Sequence, residues 1–171
     1  MNTLKITTFQ AYLFWENIEK NLQNLGLRLS SIREKTDLIV LLEMFSTGFS
    51  MNPEQLAEEM DGKTMKWMHQ QARKFECVLT GSIIIKEDKK YFNRLIWMRP
   101  DGTYEFYDKR HLFGLGEEDK HYSSGNKKLF VELHGWKICP MICYDLRFPV
   151  WLRNIDEEYD MLLIVANWPE R

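Results

Sequence analysis

The chain has 171 residues, 44% of them apolar and 28% charged, with a formal net charge of -2. That is the make-up of one globular domain with enough chain for a real core, and no basic stripe exists to neutralise a phosphate backbone, which argues against a nucleic-acid partner. No apolar run approaches the length of a membrane span, and residues 1–10 lack the apolar core and cleavage site of a signal peptide.

Residues 4–9 are β-rich. Residues 17–34 carry apolar side chains at Ile18, Leu22, Leu25, Leu29 and Ile32, in steps of three and four, which predicts an amphipathic helix. Residues 37–42 form a continuous apolar run, as in a strand covered on both faces. The Ser, Thr and Gly content of residues 43–50 predicts a loop. A short helix is predicted over 53–60 and a second over 63–75, with Met65, Met68, Ala72 and Phe75 on one face. The methionine cluster of Met44, Met51, Met60, Met65 and Met68 is read as packing, not as a metal site.

The periodicity then changes. Residues 78–85, 91–98 and 103–107 read as strands, with turns at 88–90 and 100–102 between them, a meander. Residues 109–126 are rich in Gly and charge and predict a long loop of the kind that carries function. Residues 129–133 and 136–142 make a hairpin around His134-Gly135, followed by a short helix over 148–155 and a buried strand over 160–166. This order predicts a single layered α/β domain over residues 1–171, with a mixed sheet. The sequence ends soon after the last strand, which needs a covering helix. The C-terminal part of the domain is therefore expected to be missing.

There are three cysteines, Cys77, Cys139 and Cys143. They give no disulfide framework, so a reducing, cytoplasmic setting is expected. Cys143 stands where an apolar strand gives way to a predicted helix. Thiols at the carboxyl end of a strand lie where α/β folds place their chemistry, and a helix N-terminus there would favour thiolate. Two more polar residues stand at equivalent places. Glu43 directly follows the strand over 37–42, and Lys109 follows the strand ending at Tyr107-Asp108. Taken singly, each has a bland reading: an inert buried thiol, a solvated loop carboxylate, a surface cation. Together they make a nucleophile with helpers. Glu43 serves as general base, and Lys109 holds the thiolate and the oxyanion with the backbone N–H of Tyr144.

The segments Leu-Leu-Glu43-Met-Phe-Ser-Thr-Gly-Phe, Tyr-Asp-Lys109-Arg-His-Leu-Phe and Ile-Cys143-Tyr-Asp-Leu-Arg-Phe-Pro resemble the three signature blocks of the nitrilase (carbon–nitrogen hydrolase) superfamily. With Val165-Ala-Asn-Trp-Pro169, the wording is most similar to the omega-amidases, which hydrolyse 2-oxoglutaramate and similar ω-amides of 2-oxo acids. The resemblance runs from Leu4 to Pro169. It implies an αββα sandwich with mixed sheets, a Glu43–Lys109–Cys143 triad, a thioester intermediate and release of ammonia. It implies no metal and no organic cofactor, a small-molecule amide substrate, no membrane, and a homodimer. It also implies a second glutamate in the loop after the lysine, for which Glu117 and Glu118 both qualify and Glu118 is favoured. Arg147 is expected to make a structural ion pair near the site, ahead of holding a substrate carboxylate. Phe49, His111, Tyr122 and Trp168 are candidate pocket walls, with ordinary core packing as the alternative.

Other readings stay open within this pattern: an N-carbamoyl amidase or a true nitrilase, or a catalytically inactive fragment acting through its exposed sheet. Gly114-Leu-Gly116 lacks the strand–turn–helix context of a dinucleotide fingerprint. Cys139 and Cys143 with His111 or His121 match no standard zinc spacing.

Overall fold

The computed structural model describes residues 3–168. Its framework is two stacked sheets. In the first, β1 (Ile6–Thr8), β2 (Leu38–Val40), β3 (Val78–Glu87), β4 (Lys90–Met98) and β5 (Tyr104–Asp108) lie side by side in chain order. The first three are parallel and the last two antiparallel to their neighbours. In the second, β7 (Trp136–Ile142) lies between antiparallel β6 (Val131–Leu133) and parallel β8 (Met161–Val165).

Alternation along the strands decides which layer each side chain serves. Leu38, Val40, Val78, Leu95 and Trp97 point to the second sheet and pack with Val131, Ile138, Met141, Ile142 and Val165. Their neighbours Ile39, Leu79, Ile96 and Met98 point the other way. There they meet two helices, α1 (Ile18–Leu29) through Leu22, Leu25 and Leu29, and α3 (Lys63–Phe75) through Met65, Met68 and Ala72. Each helix buries one apolar stripe at helical spacing. Helices, five-stranded sheet and three-stranded sheet are three layers of the expected αββα sandwich, and both sheets are mixed as expected. Among the described residues, no helix is long and apolar enough to cross a membrane.

Several boundaries differ from the sequence expectation for identifiable reasons. The helix predicted over 17–34 ends at Leu29, where the hydroxyls of Ser30 and Ser31 bond back to the carbonyls of Gly26 and Arg28. The helix predicted over 53–60 is α2 (Pro53–Leu56). Ala57 turns extended, and the next residue pairs with Ile85 of β3. The turn predicted at 88–90 shrinks to Asp88-Lys89, both with positive φ, as a two-residue hairpin requires. The expected long loop over 109–126 contains a 3-10 turn at Gly114–Gly116 and the one-turn helix α4 (Glu118–His121). A 3-10 turn, Cys143–Arg147, follows the strand directly, and the helix predicted over 148–155 shrinks to the four-residue α5 (Pro149–Leu152). Asn154 closes that segment by pairing with the backbone of Tyr159.

Candidate active site

Three strand ends deliver three side chains to one buried spot. Glu43 stands just beyond β2, where Met44 turns back with φ 45° and donates its N–H to Ser82 Oγ at 2.9 Å. Lys109 directly follows β5, and its own N–H continues the ladder to the Asn93 carbonyl. Cys143 directly follows β7 with φ 42°, a left-handed backbone that a non-glycine residue adopts at a cost. Glu43 and Lys109 are fully buried, and Cys143 is 7% exposed.

Lys109 Nζ donates to Glu43 Oε1 at 2.7 Å and to Glu118 Oε2 and Oε1 at 2.8 and 3.1 Å. The Cys143 thiol stands close enough to the Glu43 carboxylate for that negative charge to bear on the sulfur. From the end of β8, the backbone N–H of Asn167 reaches Glu43 Oε2 at 3.2 Å and the Cys143 sulfur. The two oxygens of Glu43 are thus unlike. Oε1 is tied down by Lys109 and by the side chain of Asn93, while Oε2 accepts the N–H of Asn167.

Two carboxylates around one ammonium leave the cluster with an excess negative charge, and burial sharpens each interaction. Burial pushes Glu43 above the ordinary carboxylate range, the Lys109 ammonium pulls it down and Glu118 adds to the rise. Burial also disfavours charge on Lys109, but Glu43 and Glu118 outweigh it and hold the ammonium protonated. For Cys143, burial and the negative charge of Glu43 push the thiol up to about 12, against the pull of Lys109. The sequence expectation of a favoured thiolate is therefore corrected. The helix that would have lowered this thiol is a 3-10 turn, and the nearest strong charge is an anion. Cys77 and Cys139 are likewise pushed up by burial, to about 11.

The two candidate second glutamates separate cleanly. Glu118 opens α4 fully buried, and besides Lys109 it accepts the Phe113 N–H at 2.7 Å and an N–H of Asn93 at 2.9 Å. Glu117 points to solvent and pairs with Lys120 at 2.7 Å, so it is not part of the cluster. The loop reaches this position because Gly125 packs directly on the Asp108 carbonyl, where a Cβ would collide at 2.2 Å.

Of the expected pocket walls, Phe49 is beside the site, with Lys109 Nζ 5.2 Å from its ring centre and Phe113 against its side. The Tyr144 ring packs on Phe113 and Phe148. Tyr122 is a buried core residue, its hydroxyl donating to the Ser50 carbonyl at 2.5 Å. His111 is held away from the cluster, stacked on Phe148 and paired through Nδ1 with Asp145 at 2.8 Å. It lines a surface groove of about 310 Å³ together with Arg147. The structural ion pair expected for Arg147 is not made among the described residues. Its guanidinium is exposed and lies 5.8 Å from the ring of half-exposed Trp168. Pro169 lies outside the described residues.

Three residues of the cluster and its support were not singled out from sequence. Asn93 bridges Glu43 and Glu118. Asn167 supplies its N–H from the neighbouring sheet. Asp145 accepts from the Ile142 N–H, the Tyr107 hydroxyl and the His111 N–H, and so ties the Cys143 turn to the segment carrying Lys109. A sequence signal existed for Asn93: it is a short polar side chain within a strand that is mostly apolar and aromatic, with Lys90 and Arg94 its charged members. Among the described residues, no group of three or more His, Cys, Asp or Glu side chains is placed to hold a metal ion.

Comparison with known proteins accords with this geometry. The family model for carbon–nitrogen hydrolases matches residues 5–169. The omega-amidase YafV of Escherichia coli (strain K12) is 42% identical over 169 residues, 99% of this chain and 65% of its own length. The 2-oxoglutaramate amidase of Bacillus subtilis (strain 168) is 28% identical over 168 residues, 96% of this chain and 65% of its own length. The crystal structure of XC1258 from Xanthomonas campestris, a CN-hydrolase superfamily protein with an arsenic adduct in its active site, superposes with a TM-score of 0.93 at 41% identity. It covers 99% of this chain, which matches 66% of that structure. The chain therefore spans about 65% of the length of the curated relatives it matches. A family match over nearly all of the sequence, with a shared fold, makes this chain a member of the carbon–nitrogen hydrolase family.

Proposed function

We propose that this chain carries the catalytic centre of an omega-amidase, which hydrolyses the terminal amide of a small 2-oxo acid of the 2-oxoglutaramate or 2-oxosuccinamate type. The observation that carries this reading is the single buried cluster of Cys143, Glu43 and Lys109. The names of the relatives support the substrate class.

Because the thiol rests protonated, attack and proton transfer go together. Glu43 Oε2 takes the Cys143 proton as the sulfur bonds to the amide carbon. The carbonyl π electrons move to oxygen, and the oxyanion meets the Lys109 ammonium and the Tyr144 N–H. As the intermediate collapses, the carbon–nitrogen bond breaks. The nitrogen takes the proton from Glu43 and leaves as ammonia, giving a thioester on Cys143. Glu43, again a carboxylate, takes a proton from an incoming water, whose oxygen attacks the thioester. Collapse expels the sulfur, which recovers that proton, and the free carboxylic acid departs. Glu118 holds Lys109 against Glu43 through its hydrogen bonds to the ammonium. Arg147, exposed and without a carboxylate partner among the described residues, receives the carboxylate at the far end of the substrate.

The test is ammonia release from 2-oxoglutaramate by the 171-residue chain, beside an N-carbamoyl amino acid and a nitrile. The reading expects 2-oxoglutaramate to be preferred and Cys143→Ala to be inert yet folded. Full activity in Cys143→Ala would refute it.

A further inference from the structure

Glu43 and Glu118 approach the same ammonium from two different segments, and both also touch one neutral side chain. Asn93, fully buried in β4, directs its Nδ2 at Glu43 Oε1 and Glu118 Oε1, 2.9 Å from each. The amide has two N–H bonds on that nitrogen, one for each carboxylate. Its oxygen, also buried, has no hydrogen-bond partner among the described residues. Flipping the amide would aim that oxygen at two anionic groups, so the carboxylates dictate the orientation even though the oxygen goes unpaired. Asn93 is also bonded through its carbonyl to the Lys109 N–H, so one residue is fixed to all three charged members.

We propose that Asn93 is a positioning residue that keeps Glu43 ionised beside Glu118 around a single lysine. Paired buried carboxylates ordinarily relieve their repulsion by sharing a proton, and a protonated Glu43 is far too weak a base to take the thiol proton. Two neutral N–H donors, one on each carboxyl group, favour the ionised form of Glu43 without adding a second cation. A second lysine or arginine there would compete for the oxyanion. The ionisable groups facing the pair are Lys109 beyond β5, the Cys143 thiol beyond β7 and the Tyr122 phenol after α4. The backbone adds the N–H groups of Asn167 and Phe113. Among the described residues only Lys109 supplies positive charge, which is why the donors of Asn93 matter.

This inference rests on Glu43 acting as the base for Cys143, but its test does not need the amide substrate. The readout is the rate of Cys143 alkylation by iodoacetamide on this chain, followed by mass spectrometry from pH 5 to 9. In the unaltered chain the rate rises as Glu43 loses its proton. Asn93→Ala is expected to move that rise upward by about one pH unit, the tenfold effect of one charge-assisted hydrogen bond. Asn93→Asp, of nearly the same shape but carrying a third carboxylate, moves it further. Asn93→Ser, which retains one donor, lies between the unaltered chain and Asn93→Ala. Circular dichroism and thermal unfolding qualify each variant, and any one that folds gives the comparison. A rise at unchanged pH in a folded variant, with only its height reduced, would overturn the inference and leave Asn93 a packing residue. A rise that survives Glu43→Gln would overturn it together with the role of Glu43. Failure of the chain to release ammonia from 2-oxoglutaramate bears on the substrate and leaves the alkylation result standing.

Discussion

Lys109→Met removes the only ammonium among three buried charges while keeping most of the side-chain volume. It leaves Glu43 and Glu118 buried without a cation, and in low dielectric that pair takes up a proton. One proton returns the cluster to the excess of one negative charge it has in the unaltered chain. At pH 7.5, protonating a carboxyl whose ordinary value is 4.5 costs about 4 kcal/mol. That agrees with the ~3–5 kcal/mol lost when one partner of a buried ion pair is removed. It is a large part of a total stability of roughly 5–15 kcal/mol. At pH 5 the same uptake costs under about 1 kcal/mol. The sign follows from linkage. A carboxyl pair raised in the folded state adds stability below the unfolded value and loses it as pH rises through the folded value. Urea unfolding at pH 5 and 7.5 measures both quantities, and Lys109→Met/Glu118→Gln should recover most of the pH 7.5 loss. A Lys109→Met penalty that is the same at both pH values, or below about 1 kcal/mol at pH 7.5, would refute the buried-charge account.

Glu118→Gln should lower kcat about 100-fold, because Lys109 loses its second carboxylate, whereas exposed Glu117→Gln should stay within about twofold; steady-state ammonia assays separate them. Arg147→Ala should raise KM for 2-oxoglutaramate about tenfold and leave KM for a simple uncharged amide unchanged. Stability should fall as pH rises above 9. Cys77, Cys139 and Cys143 ionise at 9.0 when unfolded but only near 11, 11 and 12 when folded, so the folded state holds protons that the unfolded state releases. Thermal unfolding from pH 8 to 11 measures this, and Cys139→Ala should flatten the decline.

Local pattern reached the fold where side-chain period alone decides it. The Lys63–Phe75 helix and the Trp136–Ile142 strand have the bounds their apolar spacing predicts. The strands before Glu43, Lys109 and Cys143 were legible for the same reason, although β2 ends at Val40, two residues before its apolar run does, and β5 runs one residue further than expected. What pattern could not reach were ends set by side-chain bonds back to the backbone, as at Ser30, and partners distant in sequence. Asn93 lies 50 residues from Glu43 and Asn167 lies 124 from it. No spacing rule links them until the sheets are stacked. The choice between Glu117 and Glu118 needed the fold of the 109–126 segment, since Glu117 stands just before α4 with φ 61° and Glu118 opens the helix. The thiolate expectation failed because it leaned on a helix after Cys143 that the chain replaces with a tight turn.

The central claim is that Cys143 becomes acylated with Glu43 handling its proton. It is tested most directly by acid-quenching the chain during turnover of 2-oxoglutaramate and weighing the intact protein. The account predicts a mass increase equal to the acyl group, mapped to Cys143, absent in Cys143→Ala and forming far more slowly in Glu43→Gln. Ammonia release with no adduct at any time, or undiminished release in Cys143→Ala, would contradict it.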